Sequence, residues 1–203
     1  MKTKRLLLAT RNPGKTEELK SLLGDLPALE LCTPEQIGLN LEVEESGQDY
    51  AENAALKARA FAKVSGLPAL ADDSGLEVDA LNGAPGLFSA RFSPLFQATD
   101  ADRRAHLLEV LAGKPRPWKA RFRSTVAIAL PSGEMRLAHG ACEGEIIPEE
   151  RGQGGFGYDR IFLLEGQGRS MAELSMKEKN QLSHRARAIA EAKKILGELL
   201  SLA

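Results

Sequence analysis

Leu6-Leu7-Leu8-Ala9 is an unbroken apolar run of strand length, flanked by Lys4-Arg5 and Thr10-Arg11. Such a run has no polar side to turn toward water, so it reads as a strand, Arg5 to Ala9, buried on both faces. A strand covered on both faces needs a packed layer above and below it. That requirement points to helices laid on a sheet.

The pattern downstream agrees. A turn at Asn12-Pro13-Gly14 leads to a helix near Thr16 to Leu23, with Leu19, Leu22 and Leu23 on one side. A short strand near Leu29 to Cys32 follows, and residues 33–48 read as loop. Asp49 caps the next helix, with Glu52 at the capping-box spacing and Gly66 ending it after Ser65. Pro68 to Ala71 reads as a strand stopping at Asp72-Asp73-Ser74-Gly75, with a second short strand over Leu76 to Leu81. A helix over Asp100 to Leu111 is capped by Thr99. Strands near Ala120 to Leu130 and Met135 to Glu145, joined by Pro131-Ser132-Gly133, read as a hairpin. A strand at Ile161 to Leu164 and a helix over Ser183 to Leu200 close the chain. The fold class is α/β with a mixed sheet, and the 203 residues suit one domain without a separable linker.

Several function classes drop out. Cys32 and Cys142 fit no zinc spacing and no disulfide framework. No apolar stretch approaches the roughly 18 residues of a membrane span, and the run after the basic N-terminus is too short for a signal-peptide core. The chain is therefore expected to be cytoplasmic, with no membrane partner. A pI near 6.3 and 5% aromatic residues argue against a nucleic-acid binder. Residues 1–100 carry 10 Lys/Arg against 15 Asp/Glu, and residues 101–203 carry 17 against 13. An acidic half and a basic half would suit a small anion held through a divalent cation, although a chance imbalance would look the same.

Four segments could carry chemistry. Thr10-Arg11-Asn12-Pro13-Gly14-Lys15 joins the buried strand to a helix start, where free N–H groups and the helix dipole favour phosphate. It lacks P-loop spacing, and a plain strand-to-helix turn would read alike. Asp72-Asp73-Ser74-Gly75 ends an apolar strand, where ligands bind in open α/β sheets. One carboxylate there could hold Mg²⁺ and its neighbour act as general base, with Glu44 or Glu45 as a further ligand; a solvated turn is the competing reading. Gly152 to Asp159 has four glycines in its first six residues and offers Phe156 as a stacking face, or is simply a surface loop. Lys177, Lys179, His184 and Arg185 lead into the last helix, with Ser183 as N-cap, so His184 and Arg185 would project from its first turn toward an anion. Lys57 on the second helix is a further candidate for the same cleft, Trp118 reads as packing, and the absence of a Gly-x-Ser-x-Gly elbow argues against a Ser74–His184 nucleophile.

Together these segments form an inventory for a Mg²⁺-nucleotide, and the chain resembles the inosine triphosphate pyrophosphatase family. The resemblance is carried by Thr10-x-Asn12-x-x-Lys15, Glu45-x-Gly47, Glu52-Asn53-Ala54 with Lys57-Ala58, Ala71-Asp72-Asp73-Ser74-Gly75-Leu76, Gly83-Ala84-Pro85-Gly86 with Ser89-Ala90-Arg91, Gly154-Gly155-Phe156-Gly157-Tyr158-Asp159 and Ser183-His184-Arg185, in family order across residues 5–200. It implies a long mixed sheet flanked by helices, two lobes with a central nucleotide-binding cleft, and a homodimer. It implies Mg²⁺-dependent hydrolysis of non-standard purine nucleoside triphosphates (ITP, dITP, XTP) to the monophosphate and pyrophosphate. A pyrophosphatase with another base preference and a non-catalytic nucleotide sensor are the alternatives.

The roles implied follow the motifs. Thr10, Arg11, Asn12, Pro13, Gly14 and Lys15 would bind the triphosphate, with Lys57 near them. Glu45 and Asp73 would hold the metal. Asp73 and Asp72 would be catalytic, Asp73 as proton acceptor, with the split between base and ligand left open. Ser74, Phe156, Gly157, Tyr158, Asp159, Lys179, His184 and Arg185 would complete substrate binding, Phe156 by stacking on the purine. A pocket of backbone N–H groups and Arg185 offers donors only, which suits a 6-oxo purine and disfavours adenine's 6-amino group. Two positions depart from the family. Arg160 stands where proline is usual, and Gly155 where some members are larger, which would open the base pocket's edge.

Overall fold

The computed structural model describes residues 3–201. Six strands form one sheet in the order β2-β1-β3-β4-β5-β6: β1 Lys4–Leu8, β2 Leu29–Cys32, β3 Ala69–Val78, β4 Trp118–Ala129, β5 Met135–Ile146 and β6 Phe162–Leu164. β1 pairs parallel with β2 and with β3, placing Leu7 beside Ala69 and Leu8 beside Leu70. β5 and β6 pair antiparallel, so the sheet is mixed. The helices are α1 Pro13–Leu23, α2 Tyr50–Ser65, α3 Asp100–Leu111, α4 Met176–Leu182 and α5 His184–Leu200. None of these helices is long and apolar enough to cross a membrane.

The chain divides into two compact units. The first holds the chain up to Asp73, Ser124–Gly140 and the part from Arg185 onward; the second holds Ser74–Arg123 and Ala141–His184. In the first unit the apolar opening run behaves as its pattern demands. Leu6 and Leu8 pack with Leu19, Leu22 and Leu23 of α1 and Ile189 and Leu196 of α5. Leu7 and Ala9 turn the other way, onto Ala54, Ala58 and Phe61 of α2. Alternate side chains of a strand point to opposite faces, so one apolar run serves two cores. The second unit has its own core, in which Leu107 and Leu111 of α3 pack with Leu76, Val78, Phe122, Tyr158 and Phe162. Trp118 belongs to it and donates its indole N–H to the Lys114 carbonyl, a packing role as expected.

Three expectations need correction. The segment Asp72-Asp73-Ser74-Gly75 is not a turn at a strand end; β3 runs through it to Val78, and residues 79–81 form a 3-10 turn instead of a second strand. The first helix begins at Pro13, because Asn12 caps it by accepting the Lys15 N–H and proline suits the first helical position. A separate helix, α4, precedes the closing one. Ser175 and Glu178 form its capping box, a Ser-x-x-Glu signal visible in the sequence.

Candidate active site

β1 delivers the chain to Thr10, whose Oγ1 accepts the Asn12 N–H at 3.2 Å. Asn12 closes the helix start, so Gly14 and Lys15 lie in the first turn of α1. Lys15 reaches back to β3, with its Nζ 2.9 Å from Asp72 Oδ2 and 3.1 Å from the Asp72 carbonyl oxygen. Arg11 points elsewhere. It is exposed, and its guanidinium binds Asn40 and Glu42.

Asp72 and Asp73 are neighbours on a strand, so their side chains leave on opposite faces. Asp72 is fully buried among donors. Ser124 donates to its Oδ1 at 2.5 Å, and Arg185 donates twice to its Oδ2, at 3.1 and 3.3 Å, beside Lys15. Burial alone would raise this carboxyl; Arg185, Lys15 and the Ser124 hydroxyl outweigh it and hold Asp72 well below the usual carboxylate range. Arg185 is itself only 1% exposed and pairs on its far side with Glu18 of α1, also buried. Burial works against the guanidinium charge, yet Asp72 and Glu18 together raise its pKa.

Asp73 faces Lys57 of α2, with Oδ1 to Nζ at 3.3 Å. The same ammonium lies 3.0 Å from Glu45 Oε1 and donates to the Asp72 carbonyl oxygen at 3.3 Å. Burial pushes the Asp73 carboxyl up, and Lys57 and Lys15 only partly oppose it. Lys57 moves up as well, because Asp73 and Glu45 outweigh the effect of its burial. Glu45 and Asp73 thus aim hard oxygens at one cation. Among the described residues no group of three or more His, Cys, Asp or Glu could hold a metal. Two carboxylates suit Mg²⁺, which keeps waters and takes its remaining ligands from substrate phosphates. Charge argues the same way. Lys15, Lys57 and Arg185 face Glu18, Glu45, Asp72 and Asp73, so the cluster has no positive excess with which to take a triphosphate alone.

The second unit carries the glycine loop. Asp159 Oδ2 accepts the Phe156 N–H at 2.9 Å and pairs with Lys179 Nζ of α4 at 2.5 Å. The same ammonium lies 5.2 Å from the Phe156 ring centroid, within cation–π range. Tyr158 is buried and donates its hydroxyl to the Ser89 carbonyl oxygen at 2.8 Å; burial pushes its phenol up. Phe156 itself is half-buried. Gly155 has φ +69°, and a Cβ there would lie 2.0 Å from Asp159 Oδ2. The small residue therefore does not open the pocket edge as expected: the Asp159 carboxylate fills that space.

His184 and Arg185 are corrections too. They do not project from the start of α5. His184 is buried and stacks on Phe122, with centroids 4.7 Å apart and planes at 14°. The Arg185 guanidinium donates to Glu18 and Asp72. Arg160, the other departure, lies 3.5 Å from Glu150. Ser74 is half-buried in β3, one residue beyond Asp73.

Two residues of this site escaped the sequence reading. Glu18 had a signal, being acidic in the apolar stripe of α1 and one turn beyond Lys15. Ser124 had none, because a serine in a strand is commonplace.

The chain matches the Ham1 family over residues 6–195. It is 47% identical over 196 residues to the dITP/XTP pyrophosphatase of Desulforamulus reducens, covering 96% of each chain. It is 46% identical over 188 residues to the dITP/XTP pyrophosphatase of Thermus thermophilus, covering 91% of this chain and 88% of that one. Among solved structures, a HAM1 protein from Coxiella burnetii superposes with a TM-score of 0.85 at 41% identity, over 97% of this chain and 100% of the other. Since the match runs from β1 into α5, the chain belongs to the Ham1 family.

Proposed function

We propose that this protein is a nucleoside triphosphate pyrophosphatase that hydrolyses non-standard purine nucleotides, ITP, dITP and XTP, to the monophosphate and pyrophosphate. The observation that carries the reading is the pairing of opposite environments on adjacent residues of β3: a pinned, ionised Asp72 and an Asp73 whose carboxyl is raised beside Glu45 and Lys57. The relatives' names supply the substrate class.

The α1 start from Thr10 to Lys15, with Lys57, is assigned to the triphosphate. Glu45 and Asp73 would hold Mg²⁺, which when bound supplies the positive charge the cluster lacks and lets phosphate oxygens carry developing charge. Asp73 is assigned to take the proton of the attacking water, as the carboxylate that Lys57 and Glu45 hold at the α2 face of β3. The bond joining the α- and β-phosphates breaks, and its electron pair leaves with pyrophosphate. Asp72 stays ionised and fixes Lys15 and Arg185, so it acts on the reaction through its neighbours. Phe156 is assigned to stacking on the base, with Gly157, Tyr158, Asp159 and Lys179 shaping its surroundings. Ser74 and His184 are kept as substrate-side residues on the family motif alone.

Three further points belong to this reading. The whole chain acts as one functional domain, since β3, β4 and β5 contribute residues to both units. The protein works in the cytoplasm, where the nucleotide pool is. It works as a homodimer, with Phe88, Leu95 and the 91%-exposed Phe96 as the apolar surface to be covered. Turnover measured across ITP, dITP, XTP, GTP and ATP with Mg²⁺ tests the substrate class. The 6-oxo purines other than GTP should lead ATP by at least about 100-fold. Equal turnover of ATP would instead favour a pyrophosphatase with another base preference.

A further inference from the structure

The loop that carries Phe156 is held from behind by a helix that none of the motifs includes. Asp100 and Arg104 lie four residues apart in α3, on one face. Asp100 Oδ2 accepts the Gly157 N–H at 2.7 Å. Arg104 Nη1 donates to the Gly157 carbonyl oxygen at 2.8 Å. The first contact fixes the peptide that follows Phe156, and the second fixes the peptide that precedes Tyr158. Gly157 lies between them with φ +60°, a left-handed conformation that glycine adopts freely.

Both clamps are braced. Asp100 Oδ1 accepts from Arg103 at 2.7 Å. Arg104 is buried, and its Nε donates to Glu150 Oε1 at 2.6 Å. Glu150 also meets Arg160, the residue that replaces the usual proline. Arg160 thus joins the support behind the loop. A loop of several glycines loses more backbone freedom on ordering than any other, and two part-buried hydrogen bonds to one residue offset part of that loss.

We propose that Asp100 and Arg104 are positioning residues for base recognition, holding the Phe156-Gly157-Tyr158 backbone in the conformation that stacks on the purine. This rests on the reading of Phe156 as the base-stacking residue. Stacking is made equally in ground state and transition state, so loosening the loop weakens binding and leaves the chemical step alone. The phosphate end of the substrate has no part in it.

The test is steady-state hydrolysis of ITP with Mg²⁺, together with inhibition by inorganic pyrophosphate, which has no base. Asp100→Ala should raise the KM for ITP about tenfold, leave kcat within about twofold and leave the pyrophosphate Ki unchanged. Asp100→Asn keeps an acceptor oxygen and should recover most of that loss. Arg104→Lys keeps the charge beside Glu150 but loses the fork, so its KM should fall between. Thr99→Ala removes the α3 cap without touching Gly157 and should leave KM unchanged. An unchanged KM in Asp100→Ala overturns the proposal while the functional reading stands. So does a pyrophosphate Ki that rises in step with KM, or a Thr99→Ala that matches Asp100→Ala. A wild-type enzyme that does not hydrolyse ITP overturns the functional reading first, and this proposal with it.

Discussion

Asp72 and Asp73 share a strand, a residue type and a neighbourhood, and they end in opposite states. The Asp72 carboxylate takes hydrogen bonds and ion-pair contacts from Ser124, Lys15 and Arg185. Asp73 has the Lys57 ammonium, which it shares with Glu45. The first is anchored and held low; the second is pushed up by burial and left able to exchange its cation for another. The pleat of β3 produces the split, because it sends one side chain toward α1 and α5 and the next toward α2. Two carboxylates in sequence can thus be one anchor and one reagent.

The comparison can be broken by removing either charge. Asp73→Asn should give the largest effect, a fall in kcat on ITP of about 10³-fold, with a urea midpoint no lower than wild type. A kcat within tenfold of wild type would remove Asp73 from the proton-transfer role. Asp72→Asn should show the converse. It strands Arg185 and Lys15 in the interior and should cost about 3 kcal/mol of stability in urea unfolding. Activity lost without any change in stability would make Asp72 a reagent as well. Glu18→Gln removes half of the compensation around Arg185 and should cost about 1–2 kcal/mol, again with Asp73 chemistry intact at low temperature.

The smallest effect is in pH dependence, and it has opposite signs at the two residues. The folded pKa of Asp72 lies below its unfolded value. Its stabilisation is therefore complete above the ordinary aspartate range and is lost as pH falls through the folded value. The folded pKa of Asp73 lies above its unfolded value. Its contribution is favourable below the unfolded pKa and is lost as pH rises through the folded one. In EDTA at neutral pH, Asp73→Asn should therefore be as stable as wild type or more so. Urea unfolding across pH 3–7 reads both, and a destabilised Asp73→Asn at neutral pH would contradict the assignment.

Much of the fold was legible because apolar spacing and caps are local signals. Leu6 to Ala9, the Asp49 and Thr99 caps and the hairpin after Leu130 needed no tertiary information. β3 was misread because Asp-Asp-Ser-Gly has turn chemistry. Its polar side chains remain in a strand only because Lys15, Lys57, Ser124 and Arg185 arrive from distant segments to satisfy them. The motifs named Lys15, Lys57, Asp72, Asp73 and Arg185, which the structure brings together, but not the partners each one takes. Whether Arg185 faces a ligand or a buried glutamate depends on Glu18, 167 residues away. Asp100 and Arg104 carried no signal, because an ordinary amphipathic helix start looks the same whether or not it holds a loop.

Phosphorus NMR of the products from ITP and Mg²⁺ tests the central claim most directly. Pyrophosphate and IMP should appear in equal amounts, with no orthophosphate in the early time points. Orthophosphate with IDP would mean that the terminal phosphate is the one removed, and would contradict the account.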